Sequence, residues 1–233
     1  MFFTKTKAFL FDILFPPLCI HCQVHLPDSQ EILCSKCTTS ITLRTSLCCS
    51  ECMRRLPEAT KTCHLDAPYI LGAVGSYGDP ILENLIHALK YRGVLRAADL
   101  LGMLLVRYAE TLPIHLKEFV VVPVPLSKKR LRKRGFNQAE LIARVFATHF
   151  HIPLLSSSLF KITHTKPQMG LTREARQKNL LDCFAVRNAE EIKGKHIILV
   201  DDVSTSGSTL AEVSRTLKNA GAKKIIGLVI AKA

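Results

Sequence analysis

The sequence predicts an α/β protein: a parallel sheet flanked by helices, with a small Cys-rich module before it. Two observations carry that fold class. After residue 66, short runs of β-branched and apolar residues alternate with longer segments of helical periodicity, the pattern of strands joined by crossover helices. Before it, eight of the nine Cys crowd between Cys19 and Cys63, on short polar connections with little periodicity. The composition shift at Asp66-Ala67-Pro68 divides the chain into a module over 1–66 and a larger domain over 67–233. With 233 residues, 48% of them apolar and no low-complexity tract, the larger part can bury a core of its own.

In chain order, the first fifteen residues, MFFTKTKAFLFDILF, read as a short amphipathic helix stopped by Pro16-Pro17. Asp12 breaks the apolar run and no small-residue cleavage site follows, so a secretory signal is not expected. No stretch reaches the roughly 18 apolar residues of a spanning helix, and a cytoplasmic protein is expected. The Cys module follows. Cys19 and Cys22 are one Cys-x-x-Cys pair, Cys34 and Cys37 another. Each pair lets two thiolates grip one side of a tetrahedron, and the loop between returns the second pair to the other side, which predicts a structural zinc. A second set is less complete. Cys49, Cys52 and Cys63 need a fourth ligand, for which Asp66, His64 and the spare Cys48 are open, Asp66 standing where a matching pair would end. His21 and His25 are expected to face solvent, because four thiolates already close the first site.

In the larger domain, Ile81, Leu85 and Leu89 recur at helical spacing, and Leu95 to Glu110 is a second helix, apolar on most faces. Phe119 to Pro123 (FVVVP) is a strand, Gly135 to Phe150 a helix, and His196 to Val200 a buried strand. Ser208 to Asn219 is helical with Gly221 at its end, and Lys224 to Ile230 is a last buried strand.

The formal net charge of +13, from 32 Lys and Arg against 19 Asp and Glu, points to anionic partners: nucleic acid, phosphorylated metabolites or a membrane surface. The stretch KHIILVDDVSTSGSTL narrows this. Asp201 and Asp202 stand at the carboxyl end of the predicted His196–Val200 strand, where ligands bind in open α/β sheets. Ser204, Thr205, Ser206, Gly207, Ser208 and Thr209 then turn into a helix whose N-terminal N–H groups and hydroxyls suit a phosphate. A helix cap needs one such residue, not two acids and five hydroxyls. Carboxylates beside a phosphate cradle suit a sugar phosphate, and both acids are expected to face ligand or solvent and to be dispensable for folding.

This stretch resembles the PRPP-binding motif of type I phosphoribosyltransferases, PRPP being phosphoribosyl pyrophosphate. Together with LFPPLCIHC, LIHALKYRG, VVPVPLSKKRLRKRGFNQAELIAR and KPQMGLTREARQKNL, it makes nearly the whole chain resemble the ComF family: competence-associated proteins with a zinc module and a phosphoribosyltransferase domain. The resemblance implies a type I phosphoribosyltransferase-like sheet, with Asp201 and Asp202 on the ribose hydroxyls and Ser204 to Thr209 on the 5′-phosphate. It implies a pyrophosphate loop at Val124 and Pro125, and a lid over Ser127 to Gln138 bringing Lys133 and Arg134 to the leaving pyrophosphate with Mg²⁺. Six of that segment's first eight residues are basic, so contact with nucleic acid is equally open. Thr205 stands where purine-salvage relatives carry an Asp that acts on the base, and Thr is no general base at neutral pH. Gln168, Arg176 and Asn179 match family positions without a role that chemistry supplies.

Two readings follow. One is an enzyme transferring phosphoribosyl to an acceptor the sequence does not name, within DNA uptake for natural transformation. The other is a non-catalytic PRPP-responsive protein that handles single-stranded DNA beside other competence proteins; Tyr91 and Phe136 are the aromatics it would stack on, although a core or rim place is the plainer expectation for Tyr91. Oligomeric state is not legible.

Overall fold

A computed structural model describes residues 16–57, 63–162 and 182–233. The expected N-terminal helix and the positions Gln168, Arg176 and Asn179 lie outside these residues. In the Cys module, helix α1 (Ser35–Ser40) follows Cys34, and strands β1 (Leu47–Cys49) and β2 (Arg55–Leu56) form a short hairpin. The chain then enters β3 (Ile70–Ser76), a strand not expected from the sequence. Its two glycines thin the apolar signal, and both are needed for close packing. A Cβ on Gly72 would stand 2.7 Å from the Leu228 side chain, and one on Gly75 would stand 2.5 Å from Leu82.

Helix α2 (Pro80–Arg92) starts on Pro80 at N1, with the Asp79 carboxylate accepting from the N–H groups of Ile81 and Leu82 at 2.9 and 3.2 Å. It is followed by α3 (Arg96–Glu110) and β4 (Phe119–Pro123). The basic segment forms its own helix, α4 (Lys128–Arg134), and α5 (Gln138–Phe150) begins after it. The single helix expected from Gly135 therefore starts three residues later. Gly135 takes φ 84°, closing α4 in the left-handed region, and Asn137 caps α5 through the Ala139 N–H. Strands β5 (Leu159–Lys161) and β6 (Phe184–Val186) pair antiparallel as a separate two-stranded ribbon. Then come β7 (His196–Ser204), α6 (Ser208–Asn219) and β8 (Lys224–Lys232).

The main sheet has the order β2-β1-β3-β8-β7-β4. Its four strands β3, β8, β7 and β4 are parallel, as expected, while β1 joins β3 antiparallel and carries the Cys hairpin onto the sheet edge. One face is covered by α2, α3 and α5, whose Leu85, Leu101 and Phe146 pack on Ile198, Val200, Ile226 and Leu228. The other face is covered by α6 and the ribbon, with Leu210, Val213 and Phe184 on Ile197, Leu199 and Val229. The helices after the adjacent strands β4 and β7 thus leave to opposite faces, which opens a crevice at the carboxyl ends of these two strands. Among the described residues, no helix is long and apolar enough to cross a membrane.

Candidate functional site

A cleft of about 930 Å³ occupies that crevice. Its floor is the end of β7. The strand runs four residues past Val200, so Asp201 and Asp202 lie within it rather than after it. Successive strand residues point to opposite faces, and the two acids accordingly have different surroundings. Asp201 is half-buried and lines the cleft, its Oδ1 accepting from the Asp202 N–H at 2.8 Å. Burial and then the neighbouring Asp202 carboxylate push its acid up to about 7. Asp202 is only 4% exposed, and its Oδ1 meets Lys90 Nζ at 2.7 Å. Both acids and Lys90 line the cleft, but they differ there: Asp201 has no cation in contact with its oxygens among the described residues, whereas Asp202 is nearly buried and ion-paired. Lys90, in the last turn of α2, lines the cleft although no local sequence signal marks it.

Beyond the acids, the turn Ser204–Thr209 lines the cleft in full. Gly207 sits at φ 79°, and a Cβ there would stand 2.9 Å from the Tyr69 hydroxyl, so only glycine fits this bend. Helix α6 starts directly after it with no side-chain cap and no acid in its first turn. In α2 and α5, by contrast, Asp79 and Asn137 take the first N–H groups. The hydroxyl-rich turn is little used in capping: Ser206 Oγ pairs with the Ser208 hydroxyl at 2.8 Å and accepts from the Ser208 N–H only at a long 3.5 Å, and the Ser204 hydroxyl is buried with no partner among the described residues. A helix N-terminus without a side-chain cap on its N-cap residue, ringed by hydroxyls, has the chemistry that suits an anion.

Across the cleft, Val124 and Pro125 continue from β4, with the Val124 N–H bonded to the Val200 carbonyl at 2.9 Å. Helix α4 stands above them, bringing Arg130, Lys133 and Arg134 to the lining, while none of its residues is buried. Asn137 Nδ2 donates to the Val124 carbonyl at 3.1 Å and so ties the basic helix to this turn. Tyr91 is 70% exposed at the rim, neither core nor buried, with the Arg134 guanidinium 5.8 Å from its ring centre. Lys161 and Phe184 of the ribbon add a further wall, and burial pulls the Lys161 ammonium pKa down. Nothing in their local sequence marks these two, since the fold alone brings them to the cleft.

The Cys module holds two side-chain clusters, each with its ligand atoms within 4.8 Å of one another: Cys19, Cys22, Cys34 and Cys37, and Cys49, Cys52, Cys63 and His64. The fourth member of the second cluster is His64, not Asp66 or Cys48. Both clusters are built on the same turn. The N–H groups of Gln23 and Met53 donate to the carbonyls of Cys19 and Cys49 at 3.0 Å, and the N–H groups of Cys19 and Cys49 donate to Val24 and Arg54 at 2.9 Å. Gln23 and Met53 are both left-handed, at φ 61° and 59°. Burial opposes thiolate formation at Cys19 and Cys49, but nearby backbone N–H groups outweigh it and bring each down to about 6. Cys22 and Cys34 sulfurs are 3.7 Å apart, close to the roughly 3.8 Å of two thiolates sharing one tetrahedral zinc at about 2.3 Å. The donor sets fit a metal ion, all-thiolate in one cluster and three thiolates with an imidazole in the other.

Comparison with known proteins agrees with this geometry. Residues 88–233 match the family described as "Phosphoribosyl transferase domain". The chain is 32% identical to "Competence protein F" of Haemophilus influenzae over 215 residues, covering 89% of this chain and 93% of that one. It is 30% identical to "DNA utilization protein YhgH" of Escherichia coli over 219 residues, covering 90% and 94%. A 105-residue match to "Competence protein ComFC" of Bacillus subtilis reaches 37% identity over 45% of this chain and 40% of that one. With a phosphoribosyltransferase domain behind a Cys module whose clusters could hold a metal, the chain belongs to the ComF family.

Proposed function

We propose that the cleft binds PRPP with Mg²⁺ and that the protein serves DNA uptake in natural transformation, in the cytoplasm, transferring phosphoribosyl to an acceptor with release of pyrophosphate. The observation that carries this reading is the run of β7 into α6: a carboxylate, a hydroxyl-rich turn and an uncapped helix start share one cleft with a basic helix. Asp201 would accept from the ribose hydroxyls beside the Asp202–Lys90 pair, and Ser204 to Thr209 would hold the 5′-phosphate. Val124, Pro125, Lys133 and Arg134 would face the pyrophosphate. In the transfer, the bond from the sugar C1′ to the pyrophosphate oxygen breaks with its electron pair on that oxygen, and a nucleophile bonds to C1′. Arg130, Lys133 and Arg134 stabilise the negative charge that gathers on the departing group. Mg²⁺ would supply further charge neutralisation there. The Cys clusters would each hold a structural zinc, securing a module over residues 1–66 too small to fold around a core of its own.

A second reading rests on a separate observation: Tyr91 is exposed beside Arg134 at the end of an exposed basic helix, a stacking face next to phosphate-binding cations, as single strands require. On this reading the protein is a PRPP-responsive single-stranded DNA-binding member of the competence machinery. Calorimetry with PRPP and Mg²⁺, followed by a pyrophosphate-release screen over candidate acceptors, separates the two. Binding with turnover supports transfer; binding without turnover, with PRPP-dependent affinity for single strands, supports the responsive protein. No binding of PRPP overturns both.

A further inference from the structure

We propose that Lys90 is a positioning residue of the cleft: as the half-buried counter-ion of Asp202, it offsets that carboxylate's charge and so favours ionisation of Asp201 beside it at the end of β7. The inference rests on the reading of this cleft as a PRPP site, because a sugar's hydroxyls and a metal-bound diphosphate both ask for ionised acids there.

The geometry is specific. Lys90 is three residues from the end of α2's register on Gly93, and the α2 side chains Leu85 and Leu89 anchor the helix on the sheet face that also carries Ile198 and Val200. Asp202 points to that same face and is met by Lys90 Nζ at 2.7 Å, with side-chain exposures of 17% and 6%. Only one carboxylate oxygen is held; Oδ2 of Asp202 is buried with no hydrogen-bond partner among the described residues. Its neighbour Asp201 lies opposite Val229, on the side of the second core.

Two carboxylates this close in a buried place repel, and one of them keeps its proton unless a cation intervenes. For Asp201, burial and Asp202 act upward while Lys90 acts downward, and the acid stands near 7. Lys161 on the ribbon also acts downward on Asp201, Tyr77 lies in the field of Lys90 and Asp202, and Arg130, Lys133 and Arg134 face the cleft from α4. Of these, Lys90 is the cation in direct contact with the acid pair.

The test uses the full chain with carbon-13-labelled Asp, following the Asp201 carboxyl through a pH titration without ligand. In the parent its midpoint should fall near 7. Lys90→Met should raise it by about one pH unit, Lys90→Arg should return it close to the parent, and Asp202→Asn should lower it. A midpoint unmoved by Lys90→Met overturns the inference. Should Lys90→Met fail to fold, Lys90→Arg and Asp202→Asn still decide it, since an Asp202→Asn midpoint at or above the parent's overturns it equally. Calorimetry with PRPP and Mg²⁺ then reads the consequence: the pH below which affinity falls should move upward with Lys90→Met, in step with Asp201, and be restored by Lys90→Arg. An affinity profile that stays put while Asp201 shifts overturns the positioning role. Failure of the parent to bind PRPP at any pH overturns the assigned function instead, and the ligand-free titration still decides what Lys90 does to the acids.

Discussion

The two adjacent acids should affect stability with opposite signs. Replacing Asp202 by Ala leaves the half-buried Lys90 ammonium without its contact partner, with Asp201 as the nearby carboxylate that still acts on it. Breaking a buried ion pair from one side costs about 3–5 kcal/mol. Lys90 retains 17% side-chain exposure, so its head can turn partly to water, which favours the lower end, about 3 kcal/mol. For a chain of this length each kcal/mol lowers the melting temperature by about 2–4 °C, so Asp202→Ala should melt about 6–12 °C below the parent at neutral pH. Asp201 works the other way. Its acid is raised from 3.8 to about 7 on folding, so the folded state binds that proton more tightly than the unfolded one. Stability from this group is therefore present at low pH and lost as pH rises from about 4 to about 7, and it stays lost above. Asp201→Asn removes that liability. Above pH 7 the variant should melt higher than the parent, by an amount equivalent to about 1–3 kcal/mol, and the two should converge on acidification towards pH 4. Circular dichroism melts of parent, Asp202→Ala and Asp201→Asn at neutral and mildly acidic pH read both effects. If Asp202→Ala melts within about 2 °C of the parent, or if both substitutions shift the melt in one direction, the assignment of Asp202 as the ion-paired acid and Asp201 as the one strained by its neighbour's charge is wrong.

Three further outcomes are expected. Metal analysis should find two zinc ions per chain; His64→Ala should lose one while Asp66→Ala keeps both, and Cys34→Ser should release the other and expose the module to protease. Gly207→Ala, forced to φ 79° against Tyr69, should weaken PRPP affinity at least tenfold in a titration while lowering the melting temperature only modestly, because the strain falls in the phosphate turn. Removing Lys133 and Arg134 together should weaken binding of pyrophosphate, of single-stranded DNA, or of both. If single-strand affinity falls, its dependence on salt should lessen by about 0.7 in log–log slope per lost phosphate contact, and Tyr91→Ala should cost a further 1–3 kcal/mol or so of stacking.

The sequence by itself determined the parallel strand–helix alternation, the extent of α6 and the first Cys cluster, because each is written in local spacing: β-branched runs, apolar periodicity, and pairs of thiols two residues apart. It also marked the hydroxyl turn, since Gly207 and five hydroxyls are contiguous in the chain. Elsewhere only the tertiary structure decided. Strand β3 was hidden because its two glycines answer to Leu228 and Leu82, distant residues that no local pattern reveals. Spacing points to Asp66, which stands where a matching pair would end, and the presence of His64 in the cluster instead depends on how the chain returns from the hairpin to Cys49 and Cys52. Most of all, DD reads as a matched pair. A strand alternates its faces, so adjacency in sequence becomes opposition in space, and the cation that distinguishes the two acids comes from a helix more than a hundred residues earlier.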